Sequence, residues 1–215
     1  WLGPARAMPF NARRFGWRMF WDYGGGLMTD WGVHLLDMGL WGMDVKTLPD
    51  KTFSAGGKFL RPEGAHETFD TLSVTYQFND FLMSWENNGG VETGPYDKRY
   101  GVLFRGTNGT LVADRLGWAI YPEGEKIPAI EVKSDNQDLQ NHVNNFLECV
   151  KTRNRNTACT IENGSLCAKY AHLGNIGARM SGATLIYDEQ ARKFNLPEAN
   201  KYLKPDYRSP WVFPQ

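Results

Sequence analysis

The sequence predicts an α+β fold in which helices pack on one face of a large, mostly antiparallel open sheet. Residues 51–131 carry apolar side chains with a period of two, and short turn signals separate the successive strands. Parallel neighbours would need crossovers of about a dozen residues, so short turns favour antiparallel pairing. Two segments with helical spacing follow this region. The sheet face without helices is then expected to face solvent or a second subunit.

The first 43 residues divide into a loop, a glycine turn and a helix. Residues 1–23 are rich in Arg, Pro and aromatic side chains without periodicity, which predicts an ordered loop. Gly24, Gly25 and Gly26 permit a close backbone approach. Residues 27–43 have apolar positions at helical spacing, and Thr29 or Asp30 is a candidate N-cap.

The strand region has a β-branched and aromatic composition typical of strands. Two turn signals are clear: Asn79-Asp80, and Asn108-Gly109, which suits a type I′ turn. The predicted strands are residues 53–60, 69–78, 81–87, 100–105, 110–114 and 117–121. No parallel βαβ unit is predicted, and such a unit is what a dinucleotide-binding domain requires.

The remaining residues predict two helices, a strand and a tail. Residues 135–152 and 161–180 each place apolar side chains on one helical face. Residues 184–187 predict a strand, and residues 196–215 form a Pro-rich tail. We find no internal boundary, so residues 1–215 are expected to form a single domain.

Charge and composition restrict the partners. The 24 basic and 24 acidic side chains cancel and no basic cluster occurs, which argues against nucleic-acid binding. No apolar run approaches the length needed to span a bilayer. The three cysteines have no CxxC spacing, so neither a zinc site nor a disulfide framework is predicted. A small uncharged ligand fits better, and the location, cytoplasmic or periplasmic, is left open.

His34 is the histidine whose sequence neighbours favour a chemical role. Asp30 lies four residues before it and Asp37 three after it, which places the three side chains on one helical face. A carboxylate beside an imidazole raises its basicity, as a general base near pH 7 requires. A surface ion pair is the ordinary alternative. Metal binding by the three residues, as in a metal-dependent hydrolase, is a further one, although no second His or Cys cluster supports it.

Residues 21–37, Trp-Asp-Tyr-Gly-Gly-Gly-Leu-Met-Thr-Asp-Trp-Gly-Val-His-Leu-Leu-Asp, closely resemble a segment of the Gfo/Idh/MocA oxidoreductases that follows their dinucleotide domain. The shared pattern is Gly-Gly-Gly-x-x-x-Asp-x-Gly-x-His-x-x-Asp. Further similar segments are Pro9-Phe10-Asn11, Arg14-Phe15, and residues 101–111, 145–149, 173–176 and 207–211. The resemblance implies a fold like the C-terminal domain of this family and of glyceraldehyde-3-phosphate dehydrogenase-like proteins.

The resemblance also implies roles for individual residues. His34 is then the acid/base that exchanges a proton with a sugar or cyclitol hydroxyl, and Asp30 orients His34 and contacts the substrate. The loop before the glycines would bind the sugar through ring faces and hydrogen bonds. The candidate substrate-binding residues are Asn11, Arg14, Trp17, Arg18, Trp21 and Tyr23.

The family's active site is completed by NAD or NADP and by a Lys, both held mainly by an N-terminal Rossmann domain. This chain contains no such domain, so by itself it is expected to be inactive, and its cofactor-binding residues are unknown. A homodimer or homotetramer through the open sheet face is expected. A non-catalytic carbohydrate-binding or dimerisation module and an NAD-dependent glycosidase of the same superfamily are the alternatives.

Overall fold

The computed structural model describes residues 1–135 and 138–214 and confirms the α+β class. Its α-helices are α1 (Trp31–Gly42), α2 (Asp138–Thr152) and α3 (Ile161–Arg179). Its strands are β1 (Lys51–Gly57), β2 (Thr71–Gln77), β3 (Leu82–Asn88), β4 (Val102–Gly106), β5 (Gly109–Asp114), β6 (Gly117–Pro122), β7 (Ile130–Lys133), β8 (Tyr187–Asp188) and β9 (Lys193–Phe194).

All strand pairings among the described residues are antiparallel, as predicted, but the strands form three sheets and not one large sheet. The sheet orders are β1-β2-β3, β4-β5-β6-β7 and β8-β9. Between β3 and β4 the chain contains a 3₁₀ turn, Pro95–Asp97, in which Tyr96 and Asp97 have φ values of 59° and 58°.

The chain folds into two compact units, although the sequence showed no internal boundary. The first unit comprises Trp1–Leu36, Thr47–Gly90 and Cys167–Gln215. The second comprises Asp37–Lys46 and Val91–Leu166.

The core of the first unit lies between α3 and one face of the β1-β2-β3 sheet. Along β2, Leu72, Val74 and Tyr76 are buried while Ser73 between them is exposed. The hydroxyl of the fully buried Tyr76 donates to the carbonyl of Tyr170 in α3 at 2.6 Å. A Cβ at Gly174 would lie 3.0 Å from Val74 Cγ2, so the glycine allows α3 to approach the sheet closely. Helix packing on one sheet face agrees with the prediction.

The opposite face of this sheet is the outer face, defined by Phe53, Ala55, Ser73, Ser84 and Glu86. These side chains are exposed, and Phe53 of this set and Leu82 at the start of β3 are the large apolar side chains on this face. The sheet therefore has one buried and one open face, as alternation along antiparallel strands predicts.

The second unit contains the β4-β5-β6-β7 sheet and α2. Val112 of β5 is buried, and Lys98 forms an ion pair with the buried carboxylate of Asp114 at 3.0 Å. The predicted helix over residues 135–152 begins at Asp138, and residues 136 and 137 lie outside the described residues. Its predicted apolar side chains, Leu139, Val143, Phe146, Leu147 and Val150, are exposed.

Several predicted boundaries were wrong. Helix α1 begins at Trp31, directly after the candidate N-cap position Asp30, whereas residues 27–30, which share the helical apolar spacing, form a turn. The type I′ prediction fails, since the turn residues are Thr107 and Asn108 and neither has a positive φ. The Asn79-Asp80 turn is confirmed by a 3.0 Å hydrogen bond from Phe78 N to Phe81 O.

Two regions near the C-terminal end also differ from prediction. In the predicted strand over residues 184–187, Leu185 forms a bridge to Thr52, and the paired strand begins only at Tyr187. Strands β7 and β9 were not predicted. In the tail, whose last residue Gln215 is outside the described residues, Arg208 donates to the carbonyls of Gly3 and Ala5 at 2.8 and 3.0 Å.

Candidate active site

The glycine turn, formed by Gly24, Gly25 and Gly26, folds the chain back onto the loop that precedes it. Gly24 N and Gly25 N donate to the carbonyl of Phe20 at 2.9 and 3.2 Å, and Gly26 N donates to the carbonyl of Arg18 at 2.7 Å. Gly25 and Gly26 have φ values of 78° and 82°, which favour glycine. A Cβ at Gly24 would lie 2.8 Å from Arg18 Cα. The turn therefore brings the loop before the glycines next to the start of α1.

Arg18 and Asp30 meet as a result. Arg18 Nε donates to Asp30 Oδ2 at 2.7 Å, and the side chains are 49% and 21% exposed. The Arg18 guanidinium also lies over the Trp17 ring, at 4.5 Å from its centroid. Three predicted site residues are thus adjacent, on a surface that a ligand can reach.

His34 lies on the first turns of α1 and is exposed. Its ring makes an edge contact with Trp31, with centroids 6.1 Å apart. Asp30 precedes the helix, and no ion pair of 4.0 Å or less joins it to His34 in the described part of the chain. The expected orientation of His34 by Asp30 is therefore not formed here, because the Asp30 carboxylate is held by Arg18.

Neither candidate N-cap residue acts as predicted. The Thr29 hydroxyl donates to the carbonyls of Gly24 and Gly26 and so stabilises the glycine turn. The Asp30 carboxylate accepts a hydrogen bond from Arg18 Nε.

Asn11 and Arg14 lie elsewhere in the loop. The Asn11 side chain accepts from Arg13 N at 3.0 Å, and Arg14 donates to the carbonyl of Pro9 at 3.2 Å. Both line a cavity of 320 Å³ whose other walls are Trp1, Leu2, Met8, Pro9, Phe10 and Phe15. Its walls are mostly apolar, with Arg14 as the cation.

Trp21 and Tyr23 occupy two further environments. The Trp21 ring makes an edge contact with Phe69, at 5.5 Å between centroids, and lies 4.5 Å from the Arg179 guanidinium. Tyr23 packs against Trp1, and its buried hydroxyl has no hydrogen-bond partner among the described residues. The six candidate loop residues therefore do not form a single cluster.

Sequence reasoning missed Asn175. This residue of α3 is 6% exposed, and its side-chain N–H donates to the carbonyl of Gly25 at 2.7 Å. A polar amide among the apolar positions of a buried helix was the available signal, since buried amides are nearly always hydrogen-bonded. Asn175 thus fixes the glycine turn from the helix side.

Every strand pair among the described residues is antiparallel, whereas a nicotinamide dinucleotide is usually bound by parallel strands joined through a helix. No cluster of three or more His, Cys, Asp or Glu side chains in residues 1–135 and 138–214 could hold a metal ion. No described helix has the length and apolar character needed to cross a membrane.

Comparison with known proteins decides the family. The sequence model of the GFO/IDH/MocA C-terminal domain matches residues 4–112, which include the loop, the glycine turn, Asp30 and His34. The chain belongs to the Gfo/Idh/MocA family. No curated protein sequence matches it.

Solved structures with this fold include several Gfo/Idh/MocA-type oxidoreductases. Levoglucosan dehydrogenase, in complex with NADH and levoglucosan, aligns with a TM-score of 0.59 and 12% identity over 77% of this chain and 52% of its own. UDP-N-acetylglucosamine 3-dehydrogenase GnnA from Acidithiobacillus ferrooxidans gives 0.57 and 15%, over 83% and 55%. The WlbA dehydrogenase from Bordetella pertussis, in complex with NADH and UDP-GlcNAcA, gives 0.53 and 13%, over 80% and 48%. This Gfo/Idh/MocA chain spans about half the length of the structures it matches.

Proposed function

We propose that this chain is the substrate-binding and catalytic half of a NAD(P)-dependent dehydrogenase that acts on a hydroxyl or ketone of a sugar or cyclitol. The observation that carries the proposal is the Arg18–Asp30 pair, held at 2.7 Å by the glycine turn next to the exposed His34. An acid/base and a carboxylate on one accessible surface are what removal of a hydroxyl proton requires. The sugar dehydrogenases among the structural neighbours support the substrate class.

In this mechanism, His34 accepts the proton of the substrate hydroxyl when the alcohol is oxidised and returns it in the reverse direction. Asp30, fixed by Arg18, accepts a hydrogen bond from a neighbouring hydroxyl and so orients the sugar. Trp17 offers a ring face to the sugar C–H groups. Orientation of His34 by Asp30 stays a prediction.

The hydride acceptor is not a side chain, because no side chain carries hydride, and a nicotinamide supplies this chemistry. Since the described residues lack a dinucleotide fold, we propose that NAD or NADP and the family's Lys belong to a Rossmann domain outside this chain. We further propose that the outer face of the β1-β2-β3 sheet joins two copies of the protein.

The test is turnover of the full-length protein with His34→Ala. We expect kcat to fall by about 10²–10⁴, the usual loss for a general acid/base, with little change in NAD(P) affinity. His142→Ala, at an exposed position of α2, is the matched control and should retain full activity. An unchanged rate in the His34 variant would remove His34 from the mechanism and favour a non-catalytic carbohydrate-binding module.

A further inference from the structure

Arg179, at the end of α3, is a cation held by aromatic rings. Its guanidinium carbon lies 4.5 Å from the ring centroid of Trp21 and 3.9 Å from that of Tyr202. Both distances are within the range of cation–π attraction. These contacts hold the side chain without providing an acceptor oxygen for its five N–H donors.

Lys201 places a second positive charge at the same ring. Its ammonium nitrogen lies 4.9 Å from the Tyr202 centroid. In the parts of the chain that the structure describes, neither Arg179 nor Lys201 has a hydrogen-bond or ion-pair partner. Both cations lie within range of the Tyr202 ring, and a bound anion next to this ring would be attracted by both charges.

The carboxylates of the neighbouring loop are already engaged. Asp22 pairs with Arg6 at 3.1 Å, and Glu67 accepts from the backbone N–H of Trp21 at 3.2 Å. Neither forms an ion pair of 4.0 Å or less with Arg179, so these described carboxylates do not accept from its N–H groups.

The position of Arg179 links this charge to the candidate site. Asn175, four residues earlier and hence on the same face of α3, donates to Gly25 in the glycine turn. Trp21 belongs to the loop that also carries Trp17 and Arg18. The Arg179 guanidinium therefore lies against the same loop that forms the Arg18–Asp30 pair.

We infer that Arg179 and Lys201 bind the oxyanion group of the ligand, a carboxylate or a phosphate carried by a sugar. Guanidinium groups form charge-assisted hydrogen bonds with both oxyanions. The inference deepens the proposed function by naming the substrate as an anionic sugar, and it rests on the proposal that the loop around Trp21 binds sugar.

The experiment measures binding to the full-length protein by calorimetry, without turnover, using glucuronate, glucose 6-phosphate and glucose as probes. We expect one of the two anionic probes to bind at least about tenfold more tightly than glucose. Arg179→Gln should remove that preference, while Arg179→Lys should retain part of it. Arg61→Gln, at an exposed arginine of the same unit, should leave the preference unchanged.

Equal affinity for the anionic and neutral probes, or an Arg179→Gln protein that keeps the preference, would overturn the inference. If Arg179→Gln does not fold, Lys201→Gln decides, because Lys201 is exposed and its loss should still weaken binding of the anionic probe. The readout is independent of His34. Loss of anion preference and loss of turnover therefore test the two proposals separately.

Discussion

The ion pair between Arg18 and Asp30 is half exposed, so its effect on stability is small. Exposed ion pairs contribute about 0–1 kcal/mol, because water screens the charges and two side chains lose freedom. Its value lies in geometry, since it holds the Asp30 carboxylate at one place above the start of α1. The effect of this ion pair on protein stability and its effect on the position of the Asp30 carboxylate can be measured separately.

Arg18→Gln in the full-length protein should lower the free energy of unfolding by less than about 1 kcal/mol. It should reduce kcat/KM by at least about tenfold, because Asp30 would lose the partner that fixes it. Urea unfolding and steady-state kinetics measure the two effects. Lys169→Gln breaks an exposed pair with Glu189 away from the loop of the candidate site and should leave the kinetics unchanged. A large loss of stability with normal kinetics would contradict the assignment.

The sequence named Arg18, Asp30 and His34 as candidates, but it did not show that Arg18 and Asp30 would pair. The spacing of Asp30 and His34 in a helical pattern favoured contact between them, whereas Asp30 precedes the helix and binds Arg18. That contact depends on Gly25 and Gly26 in left-handed conformations, which turn the chain across 12 positions. Periodicity describes regular elements only, so it could not show where a loop arginine would lie.

At the scale of elements, the connection between β1 and β2 is organised by Asp70. Its carboxylate accepts from the backbone N–H groups of Phe59, Leu60 and Arg61, at 2.9 to 3.2 Å. Burial alone would raise the pKa of Asp70, but the hydrogen bonds from Leu60, Phe59 and Arg61 outweigh it and lower the pKa. The ionised carboxylate thus stabilises this loop.

Asp70→Asn should lower the free energy of unfolding at pH 7 by about 2 kcal/mol, because hydrogen bonds to a charged acceptor are lost. A lowered folded pKa means that this stabilisation is complete above the unfolded value, about 3.9, and is lost as the pH falls through the folded value. The difference between the two proteins should therefore shrink in acid.

Urea unfolding at pH 7 and pH 3 checks this expectation. Asp80→Asn is the control, since Asp80 is exposed in the turn between β2 and β3. A difference between native protein and Asp70→Asn that is the same at both pH values would show that ionisation of Asp70 is not the cause.

The long helices were predicted well, and the short strands that depend on distant partners were not. Helix α3 was predicted over residues 161–180 and spans Ile161–Arg179. Strands β8 and β9 have only two residues each, and Leu185 is paired with Thr52 across the chain. Such pairs are fixed by tertiary contacts, so the local sequence contains little signal for them.

For the whole molecule, the open outer face of the β1-β2-β3 sheet is the proposed contact between copies. Phe53 lies there next to Ala55 and opposite Thr75, and it is 37% exposed. Phe53→Asp should shift the full-length protein towards a monomer, because a charge would be buried in the interface without a partner.

Light scattering at micromolar concentration measures this shift. Leu116→Asp, at an exposed turn outside the outer face, should leave the mass unchanged. A native protein that is already monomeric at this concentration would refute the proposed contact.

Arg208 holds Gly3 and Ala5 by their carbonyl groups, although 203 positions separate it from Ala5. The segment after Ala5 continues to Met8 and Phe10, which line the 320 Å³ cavity. A short deletion or a fused affinity tag near the end of the sequence should therefore change ligand recognition by residues near its beginning. A screen for altered specificity has reason to randomise both regions together.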